Sequence, residues 1–271
     1  MRAEEVVGVV ERKHLLSLLK SGKRPDGRAF DEIRDINIEL GVIKKADGSA
    51  EVQLGRTKVI AGVKSEIGVP FSDTPDRGVL THNIELSPLA SPLFESGPPR
   101  KEAIELARVV DRSIRESQAV PLEKICIVPE KHVWILFLDM YVLDHFGNLF
   151  DTSCLATMAA LLNTRLPQVA IEDEENITIS EETDLVPLQH FAVSLTFAKI
   201  DDFILLDPDL EEERCAKARF TITFTEEGNI CAIQKGDIGT FTQEEIFSMV
   251  DIAEQKAPLI INKLKEFRTI N

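Results

Sequence analysis

The chain has 271 residues, of which 44% are hydrophobic and 28% are charged, a balance typical of folded globular proteins. The densest apolar stretch, residues 133–143, contains Asp139 and is far shorter than the ~20 residues that a membrane span requires. The first residues carry acids and no long apolar centre, which argues against a secretory signal. These features exclude a membrane protein and predict a cytoplasmic one.

The excess negative charge lies entirely in the second half of the chain. The sequence has 31 Lys and Arg against 46 Asp and Glu, a formal net charge of −15. Residues 1–135 contain 21 basic and 21 acidic side chains, whereas residues 136–271 contain 10 and 25. Proteins that bind nucleic acid by themselves usually present a basic face. Any RNA contact of this chain is therefore expected to be local, or shared with a more basic partner.

The cysteines are too far apart to provide closely spaced metal ligands. The sequence has no Cys-x-x-Cys and no Cys and His pair at the spacing typical of structural zinc. A disulfide framework is not expected in the cytoplasm. The sequence therefore predicts four reduced, mostly buried thiols, at Cys126, Cys154, Cys215 and Cys231.

The first half of the chain predicts two helices and a series of strands. Gly55-Arg56 fits a tight turn between two of the strands. The nearly unbroken apolar run at residues 133–143 predicts a strand in a sheet that is covered on both faces. The predicted helices are residues 4–20 and 101–117, and the predicted strands are residues 36–40, 50–54, 57–63, 79–86 and 133–143.

The second half predicts a helix, four strands and a long C-terminal helix. Asp151 is expected to cap the first helix, which runs to about residue 163. Thr242 and Glu245 fit a capping box at the start of the last helix, and Pro258 is expected to kink or split it. The predicted strands lie near residues 191–198, 203–206, 218–225 and 229–235. This order of elements predicts an α+β (mixed α/β) fold.

The two halves are expected to form one domain across residues 1–271. An N-terminal half, about residues 1–170, precedes an acidic C-terminal half, about residues 185–271. Between them, seven of the thirteen residues 172–184 are acidic, which predicts an exposed connection.

Several separated motifs, all in one order, resemble the RNase PH family. Within the family the sequence is most similar to the non-catalytic RNase PH-like subunit of the archaeal exosome. This resemblance implies an RNase PH-like fold with sheets packed against helices, related to the ribosomal protein S5 domain 2-like fold. The motifs are Arg-Pro-Asp-Gly-Arg at 24–28, Ala-Asp-Gly-Ser-Ala at 46–50, Gly-Arg-Thr-Lys-Val at 55–59, the helical segment 105–115, Leu-Asp-Met-Tyr-Val-Leu-Asp at 138–144, Asp-Pro-Asp at 207–209 and Phe-Thr-Glu-Glu-Gly at 224–228.

The resemblance also implies partners and a reaction. Three such subunits would alternate with three catalytic RNase PH-like subunits in a hexameric ring, with RNA-binding cap subunits, and single-stranded RNA would pass to the active sites. There, inorganic phosphate attacks the 3′-terminal phosphodiester and releases nucleoside diphosphates. The phosphate is used by the catalytic subunit, the use of Mg²⁺ is left open, and no cofactor is expected in this chain.

The resemblance implies that this chain has lost the phosphate site. Active members bind phosphate with a Gly-Thr/Ser-Arg motif, and the matching residues here are Asn148, Leu149 and Phe150. A further phosphate-binding Arg aligns with Glu102, whose charge would repel the anion. Phosphoryl transfer depends on cationic groups and N–H donors that position the phosphate. The apolar side chains at 149 and 150 are expected to be packed.

The acids of the reaction are also altered. A pair of Asp residues six apart in active members aligns with Glu213 and Arg219, and a cation cannot share a divalent metal as a carboxylate does. We therefore expect no catalytic residue in this chain. The acidic cluster at 207, 209 and 211–213 could hold Mg²⁺ or Mn²⁺, but acids at the first turn of a short helix are the favoured interpretation. No metal ligand is predicted.

Three arginines form the candidate RNA-binding site. Arg108, Arg112 and Arg115 follow i, i+4, i+7 spacing and so share one arc of a helix, roughly opposite its apolar face. Guanidinium groups at this spacing could hold successive phosphates of a single strand, and the resemblance supports that role. The alternative is pairing within the helix to Glu105, Asp111 and Glu116, which is worth little at an exposed site. The apolar face comprises Ala103, Ala107, Val110 and Ile114.

The other candidate residues are expected to be structural. Arg24 and Arg28 belong to a turn in which they pair locally. The histidines form no arrangement typical of catalysis or metal binding; they are His14, His82, His132, His145 and His190.

Three hypotheses of function remain. The first is a catalytically silent RNA-binding and scaffolding subunit that supports the active site of a partner. The second is an active phosphorolytic exoribonuclease that uses Glu213 and an acid such as Asp209. The third, a metal-dependent hydrolase or kinase on a related fold, is disfavoured because the sequence has no GxxxxGK[ST] phosphate loop.

Overall fold

Groups of two to four strands are separated by helices along the chain, as in an α+β (mixed α/β) protein. The computed structural model describes residues 9–173 and 176–268. The helices are α1 (Val9–Lys20), α2 (Lys101–Glu116), α3 (Leu149–Leu162), α4 (Leu210–Cys215) and α5 (Gln243–Arg268). The strands are β1 (Ile36–Leu40), β2 (Gly48–Leu54), β3 (Thr57–Gly68), β4 (Val79–Leu86), β5 (Cys126–Val128), β6 (His132–Asp144), β7 (Arg165–Ile171), β8 (Ile177–Leu185), β9 (Ala192–Ile200), β10 (Phe203–Leu206), β11 (Ala218–Thr225) and β12 (Ile230–Gly236).

The first sheet has the strand order β1-β2-β3-β6-β4, and the short β5 pairs with the start of β6. Its neighbours are antiparallel except β4, which runs parallel to β6. On β6, residues such as Leu136, Leu138 and Met140 are buried, whereas Tyr141 is 42% exposed. The expectation that this apolar strand is covered on both faces is therefore wrong, because helices pack on one face of it only.

Helix α3 lies between the two main sheets. It packs on β2 and β3 on one side and on β9 on the other, and thirteen of its fourteen residues are buried. The second sheet, β10-β9-β11-β12, is antiparallel throughout. One hydrophobic cluster contains residues of both sheets as well as α2, α3 and α5. The apolar composition of α3 therefore joins the two halves of the chain.

The acidic connection is a strand, not an irregular segment. Residues 177–185 form β8, which pairs with β7 in an antiparallel two-stranded sheet. The predicted exposure is correct, since nearly all of β8 is exposed. The sequence did not indicate β7 or β8 because their pairing depends on where the chain turns back after α3.

Two predictions about helix ends differ in outcome. Thr242 and Glu245 form the expected capping box, with Glu245 N donating to Thr242 Oγ1 at 3.2 Å and Thr242 N donating to Glu245 Oε2 at 2.8 Å. The cap of α3, however, is Asn148 and not Asp151, because Asn148 adopts a left-handed conformation and its side chain accepts from Asp151 N. Pro258 lies inside α5 without splitting it.

In the described ranges, each helix is too short or too polar to cross a membrane.

Candidate functional site

The positions aligned with the phosphate site and its acids come together around one cavity. Glu102 from α2, Leu149 and Phe150 from α3, Glu213 from α4 and Arg219 from β11 all line a cavity of about 300 Å³. These residues are brought together because α3 begins at the same end of the fold at which α2 starts and α4 ends. The sequence alignment therefore identified residues that are neighbours in space.

Asn148 is bound to acids of the protein itself. Its backbone N–H donates to Glu213 Oε1 at 2.7 Å, and its Nδ2 donates to Asp207 Oδ1 and Asp151 Oδ2, each at 2.7 Å. The left-handed conformation, with φ 54°, is one that Asn tolerates better than most residues. The donors at this helix end are thus engaged by carboxylates, and the next two residues are nearly buried apolar side chains.

Arg219 fills part of the cavity with an internal cation. Its Cζ lies 3.9 Å from the centroid of the Phe150 ring, and its Nη2 donates to Glu105 Oε1 at 2.5 Å. A side chain at Gly236 would collide with it, since a Cβ there would lie 2.4 Å from Arg219 Nη2. The guanidinium is therefore held in place by an aromatic ring, a carboxylate and the neighbouring strand.

Glu213 is a buried carboxyl with an altered titration. Burial raises its pKa to about 7, although the N–H of Asn148 and the charges of Arg219 and Arg34 oppose this effect. Burial likewise raises the pKa of Asp151 to about 7 against the donors of Asn148 and Thr196. A carboxyl that titrates near neutrality can transfer protons, but here Glu213 accepts from the N–H of Asn148 and so holds the start of α3.

The acidic cluster is mostly taken up by structural contacts. Asp209 caps α4 in a capping box with Glu212, and Glu212 pairs with Arg24 at 2.6 Å with both side chains fully buried. Asp207 accepts from Arg34 at 2.7 Å and from Arg28 at 3.0 Å. The geometry therefore supports the interpretation that these acids stabilise the first turn of a short helix and its surroundings.

Charge pairing also decides the ionisation of Asp207. Burial alone would raise its pKa, but the hydrogen bonds and charge of Arg34 hold it below the ordinary value. In the described ranges, no three His, Cys, Asp or Glu side chains converge as metal ligands. The expectation that the chain holds no metal stays a prediction.

The arginine stripe, defined as Arg108, Arg112 and Arg115, is exposed along α2. The side chain of Arg108 makes no hydrogen bond or ion pair with any described residue. Arg112 Nη2 donates to Gln234 Oε1 on β12, and Arg115 donates to Asp111 Oδ1 at 2.7 Å and to the Leu80 carbonyl at 3.3 Å. The three side chains thus present donors along one surface of the helix.

Only one of the alternative intrahelical pairs forms among the described residues, that of Arg115 with Asp111. Glu105 is not available to Arg108 in the way expected, because its carboxylate pairs with Arg219 on β11. The Glu105 carboxylate therefore lies at the cavity and does not neutralise Arg108. This arrangement leaves Arg108 free to contact an anion.

Two of the histidines that are expected to be structural make contacts near the site. His145 stacks on Phe94, with centroids 5.2 Å apart, and lines the cavity. Burial, reinforced by Arg214, lowers the pKa of His145 to about 4, so its neutral ring offers no charge to a phosphate. His82 lies buried, with Nδ1 2.9 Å from Asp111 Oδ1. Sequence spacing gave no signal for either contact.

The turn at residues 24–28 is structural, as expected, but its pairing is only partly local. Arg28 pairs with Asp26 at 2.6 Å within the turn. Arg24 instead crosses to Glu212, 188 residues away. The prediction of local pairing is therefore correct for Arg28 and wrong for Arg24.

Comparison with known proteins agrees with this geometry. Residues 32–167 match the 3′ exoribonuclease family, domain 1, and residues 190–256 match domain 2 of the same family. The chain belongs to the RNase PH family of 3′ exoribonucleases. The resemblance inferred from the separated motifs is confirmed. The interval between the two matches contains most of the β7–β8 hairpin.

Curated relatives match over nearly the full length. The exosome complex component Rrp42 of Thermococcus kodakarensis is 51% identical over 265 residues, covering 97% of each chain. The protein of the same name from Methanothermobacter thermautotrophicus is 49% identical over 265 residues, covering 98% of each. Both relatives are described as components of an exosome.

Solved structures confirm the RNase PH-like fold. A chain of the Archaeoglobus fulgidus exosome with RNA bound to the active site superposes with a TM-score of 0.87 at 43% identity, covering 94% of this chain and 97% of that one. A chain of an archaeal exosome core gives 0.84 at 38% identity, covering 98% and 100%. Rice Rrp46, at 19% identity and a TM-score of 0.68, shares the fold.

Proposed function

We propose that this chain is a catalytically silent, RNA-binding and scaffolding subunit of a phosphorolytic 3′-to-5′ exosome ring. It would alternate with a catalytic RNase PH-like subunit, support that subunit's active site, and work in the cytoplasm beneath RNA-binding cap subunits. The relatives described as exosome components, which match nearly end to end, support the assignment to this assembly.

The observation that carries the proposal is the set of side chains that line the cavity. Phosphorolysis needs a group of cations and N–H donors around the attacking phosphate. Here Leu149 and Phe150 supply apolar side chains. Two cations line the cavity, Lys101 and Arg219, and Arg219 is already paired with Glu105. A phosphate in this place would lose its water and lie among the carboxylates of Glu102, Glu105 and Glu213, which is costly for an anion.

The arginine stripe supplies what the chain contributes instead. Exposed guanidinium groups on successive turns of α2 suit the phosphates of a single strand, without reading its bases. The excess of acids in residues 136–271, 25 against 10 basic side chains, disfavours RNA contact on that half of the chain. RNA contact is then confined to a site that the partner subunit completes.

One feature favours the alternative, an active exoribonuclease. Glu213 lines the cavity with a pKa raised to about 7 by burial, as a general acid would require. Against it, Glu213 accepts from the N–H of Asn148 and Asp209 is the cap of α4, so both carboxylates already have a structural role at a helix start. The silent subunit therefore explains more of the site.

A phosphorolysis assay tests the proposal. The purified chain alone is incubated with poly(A), inorganic phosphate and Mg²⁺, and ADP is measured. We expect no release above a no-enzyme control, and release when the catalytic subunit is added. ADP production by the chain alone at the rate of the complex would refute the silent role.

A further inference from the structure

The β7–β8 hairpin carries an aliphatic strip that the described chain covers only in part, since Val169 packs at the edge of the core. Val169 pairs with Ile179 and Ile171 pairs with Ile177, so the four side chains lie on one face of the hairpin. Ile171 and Ile179 are each 56% exposed. A two-stranded hairpin is at best marginally stable by itself, and adjacent exposed aliphatic side chains are typical of a contact surface.

Acidic residues are frequent in the sequence of the hairpin. Residues 165–185 contain one cation, Arg165, and seven acids, a net charge of −6. Glu181 and Glu182 lie where the register of the two strands shifts, and Glu172 lies at the turn. The surface therefore combines an apolar centre with a strongly acidic rim, which is the arrangement of a protein interface.

We infer that the hairpin strip, Val169, Ile171, Ile177 and Ile179, docks a protein partner that presents Lys and Arg side chains around a short aliphatic segment. Charge complementarity selects this partner. An RNA strand would be repelled by the acids, and a second copy of the hairpin would bring the same negative charge to the contact. The inference rests on the proposed function, since the partner is sought among the subunits of that assembly.

The position of the hairpin separates this contact from the cavity. β7 begins directly after the C-terminal end of α3, where Val186 N donates to the Thr164 carbonyl at 2.9 Å. The cavity lies at the other end of α3, about 21 Å away for a helix of fourteen residues. A partner on the hairpin would thus hold the chain at the end of α3 opposite the cavity.

Hydrogen exchange of peptides from residues 165–185 tests the inference. Exchange is compared between the free chain and the assembly formed with the purified catalytic and cap subunits, at low and high KCl. We expect at least tenfold slower exchange in the assembly, and protection that weakens as salt rises. The double variant Ile171→Glu, Ile179→Glu should reduce affinity for the protecting subunit at least tenfold.

A matched control variant and a test of folding separate loss of the contact from loss of the structure. Ile238 is 97% exposed outside the hairpin, and Ile238→Glu should leave affinity within twofold. Circular dichroism confirms that the variants are folded, as their exposure leads us to expect. An assembly that forms with the hairpin unprotected refutes the docking surface and leaves the proposed function standing. Failure of the chain to assemble refutes both the docking surface and the proposed function. Protection of the hairpin by RNA alone, or by self-association of the chain, refutes a basic protein partner.

Discussion

The guanidinium of Arg219 occupies the position aligned with the second acid of active relatives. It lies over Phe150, pairs with Glu105 and leaves no room for a side chain at Gly236. Arg219 thus places a cation where the alignment with active members puts a carboxylate, and it draws the Glu105 carboxylate away from Arg108. In the proposed function, Glu105 therefore links the cavity to the arginine stripe.

The arginine stripe predicts a specific salt dependence. Each phosphate contact to a single strand contributes about 0.7 to the slope of log K against log salt concentration. We expect Arg108→Ala or Arg112→Ala in the assembled ring to reduce that slope by about 0.7 in binding titrations with poly(A). Arg112→Glu should weaken binding and RNA processing further without dissociating the ring.

Lys263→Glu on α5 is the charge-matched control, because Lys263 is exposed on a different helix. It changes the net charge by the same amount as Arg112→Glu, and its slope should equal that of the wild type. Identical slopes in all variants would mean that the stripe is only solvated surface.

Glu213 predicts that stability falls with rising pH. Its folded-state pKa, about 7, lies above the ordinary value of 4.5, so folding takes up protons between these limits. The stabilisation is complete below about pH 4.5 and is lost as pH rises through about 7. At ~1.36 kcal/mol per unit, Glu213→Gln should stabilise the chain at pH 8 by at most about 3 kcal/mol and have little effect at pH 4.

Urea unfolding between pH 4 and 8 measures this effect. Glu211→Gln is the control, since Glu211 is exposed on the same helix and should leave the pH profile unchanged. A pH profile of Glu213→Gln parallel to that of the wild type would contradict the assignment. Asp151, whose pKa is raised in the same direction, accounts for pH dependence that remains in the variant.

Helix α5 shows how an element can tolerate an unfavourable residue. Pro258 cannot donate to the carbonyl one turn earlier, yet the helix continues from Gln243 to Arg268. The neighbours Ala257, Ile260 and Ile261 are buried in the core and hold the helix across this position. Burial of an apolar face thus outweighs the local cost of proline.

This arrangement predicts that Pro258→Ala stabilises the protein. Pro258 is exposed, so alanine restores a helical hydrogen bond without disturbing the core. We expect a gain of about 1–3 kcal/mol in unfolding free energy, reduced in part by the greater freedom of the unfolded chain. A lower melting temperature would show that proline serves the geometry of α5.

The elements also differ in how well their sequences predict them. The period of α2 and the alternation of β1 are strong local signals, and both elements occur close to the predicted bounds. β8 has acids at exposed positions on both faces, a pattern more typical of a loop. It is a strand because β7 provides backbone partners, and such pairing is not visible within a short window of sequence.

The two halves are joined by a buried ion pair between distant parts of the chain. Arg24 and Glu212 are 188 residues apart, and both side chains are fully buried. Removing one partner from such a pair leaves an uncompensated buried charge, at a cost of about 3–5 kcal/mol. The N-terminal turn is thereby fixed to α4, next to the cavity.

A double-mutant cycle tests this link. Arg24→Met and Glu212→Gln should each destabilise strongly, and the double variant should cost at least about 2 kcal/mol less than the sum. The half-exposed pair of Arg12 and Asp201 is the control, with an expected coupling below about 1 kcal/mol. Equal couplings in the two cycles would show that burial does not strengthen the first pair.

The sequence by itself determined the family, the order and type of most elements, and the residue types at the cavity. These features depend on local periodicity and on motifs, which can be read along the chain. The tertiary structure decided the pairing of Arg219 with Glu105 and of Arg24 with Glu212, the cap at Asn148, and β8. Each of these depends on a choice among several possible partners, and only the packing around α3 determines which of them lies within hydrogen-bond distance.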